Sequence, residues 1–309
     1  MRIFRDYKAV PASAKGASAA IGNFDGVHLG HRAVIDLARN SSAAPLGILT
    51  FEPHPREFFA PDAPPFRLMS PAARTSRLAK LEVDILYELP FNAAMAALPP
   101  HEFAQGVIKD GLGLSNVVVG KDFHFGAKRA GDAEMLAEFG SEMGFDVVIA
   151  DLLEGQRGEV SSTAIRTALS EGRAQDAAAM LGHWHRIEGT VMGGDQRGRD
   201  LGYPTANMSI EGLHPPRFGV YAVLVDVLNG AHQGHYTGAA SLGVRPMFNG
   251  EMPNLETFIF DFSGDLYGAD LSVALVEYLR PEAKFDSLEA FIAQMDADCA
   301  EARRILEAL

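Results

Sequence analysis

Short apolar runs alternate with helical periodicities through the first half of the chain. The runs fall at residues 17–22 (ASAAIG), 46–51 (LGILTF), 83–89 (VDILYEL), 116–120 (NVVVG) and 145–153 (FDVVIADLL). Each is short enough for a strand. Helical patterns lie between them, as at 29–40 (LGHRAVIDLARN) and 132–144, where Met135, Leu136, Phe139 and Met143 recur at helical spacing. Alternating β and α units predict an α/β domain with a parallel sheet and helices on both faces, with ligands at the carboxyl ends of the strands.

After about residue 182 the period changes. Residues 218–230, 235–243, 255–268 and 269–279 are β-rich and separated by turn signals, and Tyr221, Val223, Val225 and Val227 alternate along the first of them. A β barrel or sandwich is expected. The chain closes on a helical pattern with Leu288, Phe291, Ile292, Met295, Cys299 and Leu306 on one face and Ser287 as its cap, and this helix should pack on the barrel. A short boundary near residues 181–186 divides the chain into domains 1–182 and 183–309.

Composition narrows the partners. The 309 residues carry a net charge of −13, which argues against nucleic-acid binding through a broad basic face. No apolar run approaches the roughly 20 residues of a membrane span, and the N-terminal stretch lacks the apolar segment of a secretory signal, so a cytoplasmic location is expected. The single cysteine, Cys299, excludes an intrachain disulfide and fits a reducing compartment.

The chemistry-bearing stretch is 21–31, IGNFDGVHLGH, directly after the first predicted strand. His28 and His31 could be zinc ligands, but no third and fourth ligand is recognisable nearby. They could also cap the following helix. The surrounding residues favour a third use: Gly22, Gly26 and Gly30 let backbone approach a ligand, helix N-terminal amides favour an anion, and imidazolium groups there would stabilise charge on a polyphosphate.

The stretch resembles the H-x-G-H signature of the nucleotidyltransferase superfamily in its G-x-F-D-G-x-H-x-G-H form. Residues 50–55 (TFEPHP), 119–126 (VGKDFHFG) and 160–166 (VSSTAIR) follow in the order of bacterial flavin adenylyltransferases. The second half resembles riboflavin kinases through 189–210 (GTVMGGDQRGRDLGYPTANMSI), 256–268 (ETFIFDFSGDLYG) and 279–291 (LRPEAKFDSLEAF). The whole chain thus resembles the bifunctional bacterial riboflavin kinase/FAD synthetase family, an N-terminal Rossmann-like nucleotidyltransferase domain followed by a β-barrel kinase domain with a closing helix.

The resemblance implies riboflavin and ATP giving FMN and ADP, then FMN and a second ATP giving FAD and pyrophosphate, with Mg²⁺ as the metal. It assigns the ATP phosphates of the second reaction to His28 and His31, and nucleotide binding to Gly22, Asn23, Phe24, Asp25, Gly30, Asp122, Ser162, Thr163 and Arg166. In the kinase half it implies Gly194 and Arg199 for nucleotide, Thr205 and Asn207 for Mg²⁺, and Glu256 as the base for riboflavin's primary hydroxyl. The C-terminal helix would close over the flavin. One departure is at 240–248 (ASLGVRPMF), where many relatives have an asparagine near Ser241 and a threonine near Met247, which bears on the kinase pocket. Three alternatives remain open: a kinase with an inactive first domain, a flavin-binding protein without turnover, and a different transferase with a borrowed barrel.

Overall fold

The computed structural model describes residues 1–151, 154–155, 158–193, 202–247 and 250–309. By packing, the chain forms two compact units, Met1–Ala63 with Pro71–Ser161, and Pro64–Ser70 with Ser162–Leu309.

The first unit is built on six parallel strands: β1 (Arg2–Phe4), β2 (Ser18–Ile21), β3 (Leu46–Glu52), β4 (Ile85–Pro90), β5 (Asn116–Gly120) and β6 (Asp146–Ala150). They lie in the order β1-β4-β3-β2-β5-β6. β2 is buried at every residue and β3 at all but its last, as expected of strands with elements on both faces. The expected parallel sheet is observed, with β1 added at its edge. The chain runs from β2 to β3 on one side and later to β5 on the other, so the loop after β2 stands at the topological switch point. The unit's helices include α1 (Leu29–Asn40), α2 (Pro55–Phe59), α3 (Pro71–Lys80), α4 (Phe103–Leu112) and α5 (Ala133–Met143).

The second unit holds six antiparallel strands: β7 (His185–Thr190), β8 (Thr205–Ser209), β9 (Gly219–Val227), β10 (Gly234–Met247), β11 (Gly250–Ile259) and β12 (Asp270–Arg280). Their order is β7-β12-β9-β10-β11-β8. Met192 N–H donates to the Asn207 carbonyl at 2.8 Å, joining the chain beyond β7 to the far edge strand and turning the sheet toward a barrel. Ile187, Met208, Tyr221, Val223, Val225, Leu242, Leu255 and Val273 fill its interior. Helices α6 (Ser162–Ser170) and α7 (Ala174–Leu181) belong to this unit by packing. Leu68, from the segment 64–70, joins Ile165, Ala168, Leu169, Ala177 and Leu181 in one apolar cluster, which is why that segment sits here.

The closing helix α8 (Leu288–Leu306) starts at the Ser287 cap, whose hydroxyl accepts from Ala290 N–H at 3.1 Å. It packs on β9, β10 and β12. The expected apolar face is buried only toward its C-terminal half, where Cys299, Ala302, Ile305 and Leu306 meet Ala222, Ala239, Phe260 and Val276. Leu288 is 52% exposed, a correction to the sequence expectation: helical spacing places it on the stripe, but the apolar cluster that buries this helix is met by Cys299, Ala302, Ile305 and Leu306. Arg280 clamps the helix through Nε and Nη2 to the Asp298 carboxylate, and Tyr203 O–H donates to Asp296. Among the described residues no helix is long and apolar enough to cross a membrane.

His185 makes this unit sensitive to acid. It is 4% exposed, and burial, with His183 and His214 nearby, pushes its pKa down to about 3 from 6.5. Between those values the unfolded chain binds a proton that the folded chain refuses, so stability is full above pH 6.5 and falls as pH drops toward 3. The slope from this group is at most about 1.4 kcal/mol per pH unit. His185→Gln should flatten that limb in denaturant titrations followed by near-UV circular dichroism. Equal pH slopes in both proteins would contradict it.

Candidate functional site

In the first unit the loop after β2 is shaped by its backbone. Gly22 N–H donates to the Leu49 carbonyl at 3.1 Å, Phe24 turns to φ 52°, Gly26 to 89° and Val27 to 44°. A β-branched residue at positive φ costs about 1–3 kcal/mol and persists only where its surroundings hold it. Here Phe24 and Val27 are 1% and 0% exposed, locked into the core beneath the loop. The turn delivers the chain into α1 with His28 as the N-cap.

His28 Nδ1 accepts from His31 N–H at 3.3 Å, so one of the two histidines does cap the helix. The His28 and His31 rings stack with centroids 3.6 Å apart and planes 19° from parallel. Gly30 permits this: a Cβ there would come within 3.1 Å of the His28 ring. The Phe24 ring lies 5.2 Å from that of His31, tilted by 52°. Burial first, and the neighbouring His28 second, push the His31 pKa well below its ordinary value. His31 is disfavoured as a cation, because two stacked imidazolium groups in a half-buried pocket would repel and lose solvation. Among the described residues, no group of three or more His, Cys, Asp and Glu side chains is placed to hold a metal ion.

The other residues expected at this site divide. Asn23 and Asp25 lie in the same loop, and Asp25 is 6% exposed. Asp122 stands two residues beyond β5, exposed, at the same carboxyl edge of the sheet. Ser162, Thr163 and Arg166 open α6 in the second unit, where Arg166 Nε donates to the Phe66 carbonyl at 2.6 Å and its guanidinium lies 5.3 Å from the Phe66 ring centre.

Sequence reasoning missed an aromatic wall along the carboxyl ends of β3, β4 and β5. Phe91 packs edge-on against Phe51, Phe58 and Phe59 at 5.7, 5.4 and 5.7 Å. The band continues through Phe103 and Phe125 to Phe123. Phe59 is 67% exposed, so the wall presents a large apolar ring to solvent beside the loop-bearing sheet edge. The signal available was the paired phenylalanines in residues 55–60 (PREFFA) immediately after 50–55 (TFEPHP).

In the second unit β8 pairs with β11 so that Asn207 stands opposite Glu256, and β10 pairs with β11 so that Ser241 stands opposite Glu256 from the other side. Alternation turns Ala206, Met208 and Leu255 into the barrel core, so Thr205, Asn207, Ser241 and Glu256 share the opposite face. Asn207 is 6% exposed, and its Nδ2 donates to the Thr205 carbonyl at 3.2 Å. Asn254, unremarked in the sequence, donates from Nδ2 to Asn207 Oδ1 at 3.0 Å and thereby sets which end of the Asn207 amide is oxygen. That oxygen retains a second lone pair. Oxygen donors of this kind, a threonine hydroxyl and an amide carbonyl, suit a hard Mg²⁺ ion that keeps waters and substrate phosphates as its remaining ligands. Gly194 and Arg199 lie outside the described residues, as does the side chain of Met247.

Comparison with known proteins covers nearly the whole chain. A family model described as FAD synthetase matches residues 10–164, and one described as riboflavin kinase matches residues 181–306. A bifunctional riboflavin kinase/FMN adenylyltransferase of Pseudomonas fluorescens is 39% identical over 99% of this chain and 98% of its own. One of Escherichia coli (strain K12) is 37% identical over 94% and 93%. A solved structure from Streptococcus pneumoniae, titled a macrolide-efflux protein, is 31% identical and superposes with a TM-score of 0.83 over 96% of each chain.

Proposed function

The chain belongs to the family of bifunctional riboflavin kinases/FMN adenylyltransferases, and from that premise we propose how its residues divide the two reactions. It is an enzyme of flavin cofactor synthesis that phosphorylates riboflavin with ATP and then adenylylates FMN to FAD, releasing pyrophosphate. The observation that supports separate sites is that His28 and His31 gather in one compact unit, while Thr205, Asn207 and Glu256 gather in the other. We divide the chain by activity at 1–182 and 183–309.

In adenylylation the FMN phosphate is already an anionic nucleophile, so no general base is needed. The task is alignment and stabilisation of charge on the ATP phosphates. Gly22 and Gly30 let the chain come close to those phosphates, and the turn of Asn23, Phe24 and Asp25, the start of α1 and the His31 ring supply donors to them. Asp122 helps position the nucleotide. Ser162, Thr163 and Arg166 offer phosphate donors at the first turn of α6. The exposed end of the aromatic wall at Phe59 suits the flat isoalloxazine ring of FMN by stacking.

In the kinase reaction riboflavin's primary hydroxyl is a poor nucleophile, and Glu256 takes its proton as the bond to the γ-phosphorus forms. Thr205 and Asn207 would hold Mg²⁺, which draws charge off the ATP phosphates when bound. Gly194 and Arg199 bind the nucleotide. The half-buried Phe291, Ile292 and Met295 of α8 offer apolar cover for the flavin. All partners are small molecules of the cytoplasm: riboflavin, FMN, FAD, ATP, ADP and pyrophosphate.

The test is chromatographic. Purified protein given riboflavin, ATP and Mg²⁺ should form FMN first and FAD later, and supplied FMN should become FAD without added riboflavin. FMN as the sole product would reduce the chain to a kinase, and binding without turnover would leave only a flavin carrier.

A further inference from the structure

Arg74 lies on α3 and is 3% exposed, the most deeply buried of the arginines in the first unit's polar interior. Its guanidinium joins three places. Nη2 donates to Glu88 Oε2 on β4 at 3.0 Å and to Glu52 Oε2 at the end of β3 at 3.2 Å. Nη1 donates to the backbone carbonyl of Asn23, in the loop after β2, at 3.3 Å. Thr50 Oγ1 also reaches that carbonyl at 3.3 Å.

Stability alone is a weak reason for such a cluster. A buried arginine with two carboxylates can often be replaced by apolar groups of similar volume without loss. What an apolar trio could not do is hold a carbonyl oxygen from beneath. The planar guanidinium, itself braced by the two carboxylates, presents an N–H in a fixed direction, and one backbone oxygen receives it.

Holding that oxygen has a consequence on the other side of the peptide. The Asn23–Phe24 bond is trans, so the Phe24 N–H points opposite to the Asn23 carbonyl. Gly22, Val27 and His31 N–H groups donate within the protein, whereas among the described residues the Phe24 N–H has no protein acceptor. Phe24 also sits at φ 52°, a conformation the chain keeps only where neighbours enforce it.

We propose that Arg74 is a positioning residue for adenylylation: by gripping the Asn23 carbonyl it fixes the Phe24 N–H as an outward donor to a phosphate of ATP. This rests on the reading that residues 22–31 bind ATP. A rotated peptide at this point would present a carbonyl oxygen to the phosphates in place of a donor, exchanging attraction for repulsion.

The test uses the full chain with Arg74→Lys and Thr50→Val, and measures KM for ATP and kcat for conversion of supplied FMN to FAD. Circular dichroism and the thermal unfolding transition of each variant report whether the first unit is folded. Lysine keeps the buried charge but cannot reach three partners at once. Arg74→Lys should raise KM for ATP about tenfold and lower kcat/KM about 10- to 100-fold, with KM for FMN within about twofold. Thr50→Val should move KM for ATP the same way, by about threefold. A purely structural role would reduce the active fraction, lowering apparent kcat and leaving KM unchanged. Wild-type KM for ATP in folded Arg74→Lys overturns the proposal. If Arg74→Lys does not fold, Thr50→Val decides in the same terms. His31→Ala is run alongside: if it retains full adenylylation, the ATP reading of the loop fails, and if it loses activity while Arg74→Lys and Thr50→Val are normal, only the role of Arg74 fails.

Discussion

Glu256→Gln is expected to slow phosphorylation of riboflavin by about 10²- to 10⁴-fold, the range for removing a general base, while conversion of supplied FMN to FAD continues at the wild-type rate. Glutamine has nearly the size of glutamate and keeps a carbonyl oxygen, but that amide oxygen is too weak a base to take the hydroxyl proton. Glu256 lies in the middle of β11, paired with Asn207 on β8 and Ser241 on β10, so the substitution leaves the ladder on both sides intact. The variant should therefore fold, and KM for riboflavin should change little, since the lost interaction belongs to the proton in flight. The measurement is single-turnover formation of FMN beside steady-state formation of FAD from FMN. Wild-type phosphorylation by folded Glu256→Gln would remove this carboxylate from the chemistry.

How much of this was legible in the sequence depends on how local its cause is. The loop at 22–31 was legible because one short stretch carries the end of β2, a glycine turn and the start of α1, and each signal lies within a few residues of the next. The alternation along β9 likewise showed the barrel, because a half-buried antiparallel strand repeats every second residue. β1 was not legible: Arg2–Phe4 is too short for any period to register, and what makes it a strand is its pairing with β4, more than 80 residues away. The segment 64–70 was not legible either, since its place in the second unit depends on Leu68 meeting Ile165 and Leu169.

The same distinction runs through the sites. His28 and His31 were visible as a pair at a spacing of three, but spacing does not show that the rings stack 3.6 Å apart in a pocket whose burial pushes the His31 pKa down. Arg74 looked like any arginine on a polar helix face. Its burial is caused by Glu52 and Glu88, which lie 22 and 14 residues away and reach it only through the sheet. Asn254 offered no sequence signal, since its meaning is an amide bond across two strands to Asn207.

The neutral state of His31 sharpens what its removal should do. His31→Ala is expected to lower adenylylation of supplied FMN by about 10²- to 10³-fold, as for loss of one preorganised donor to a developing anion, with riboflavin phosphorylation unchanged. If the ring acts as a neutral donor, His31→Gln, which keeps an N–H, should recover a measurable part of the rate. Its lowered pKa leaves it uncharged above its ordinary 6.5 and for some distance below, so adenylylation should not fall as pH rises through 6.5. A loss of rate across that value, absent in His31→Gln, would show instead that an imidazolium is required, its charge favoured by the polyphosphate it faces. The variant also tests the separation of the two reactions. His31→Ala retains the kinase residues of the second unit, and Glu256→Gln retains the histidine pair of the first. Each alone should make little FAD from riboflavin, and an equal mixture should restore it by passing free FMN between molecules, more slowly on dilution. Two folded variants that keep their single activities yet make no FAD together would mean that FMN does not leave the chain that forms it.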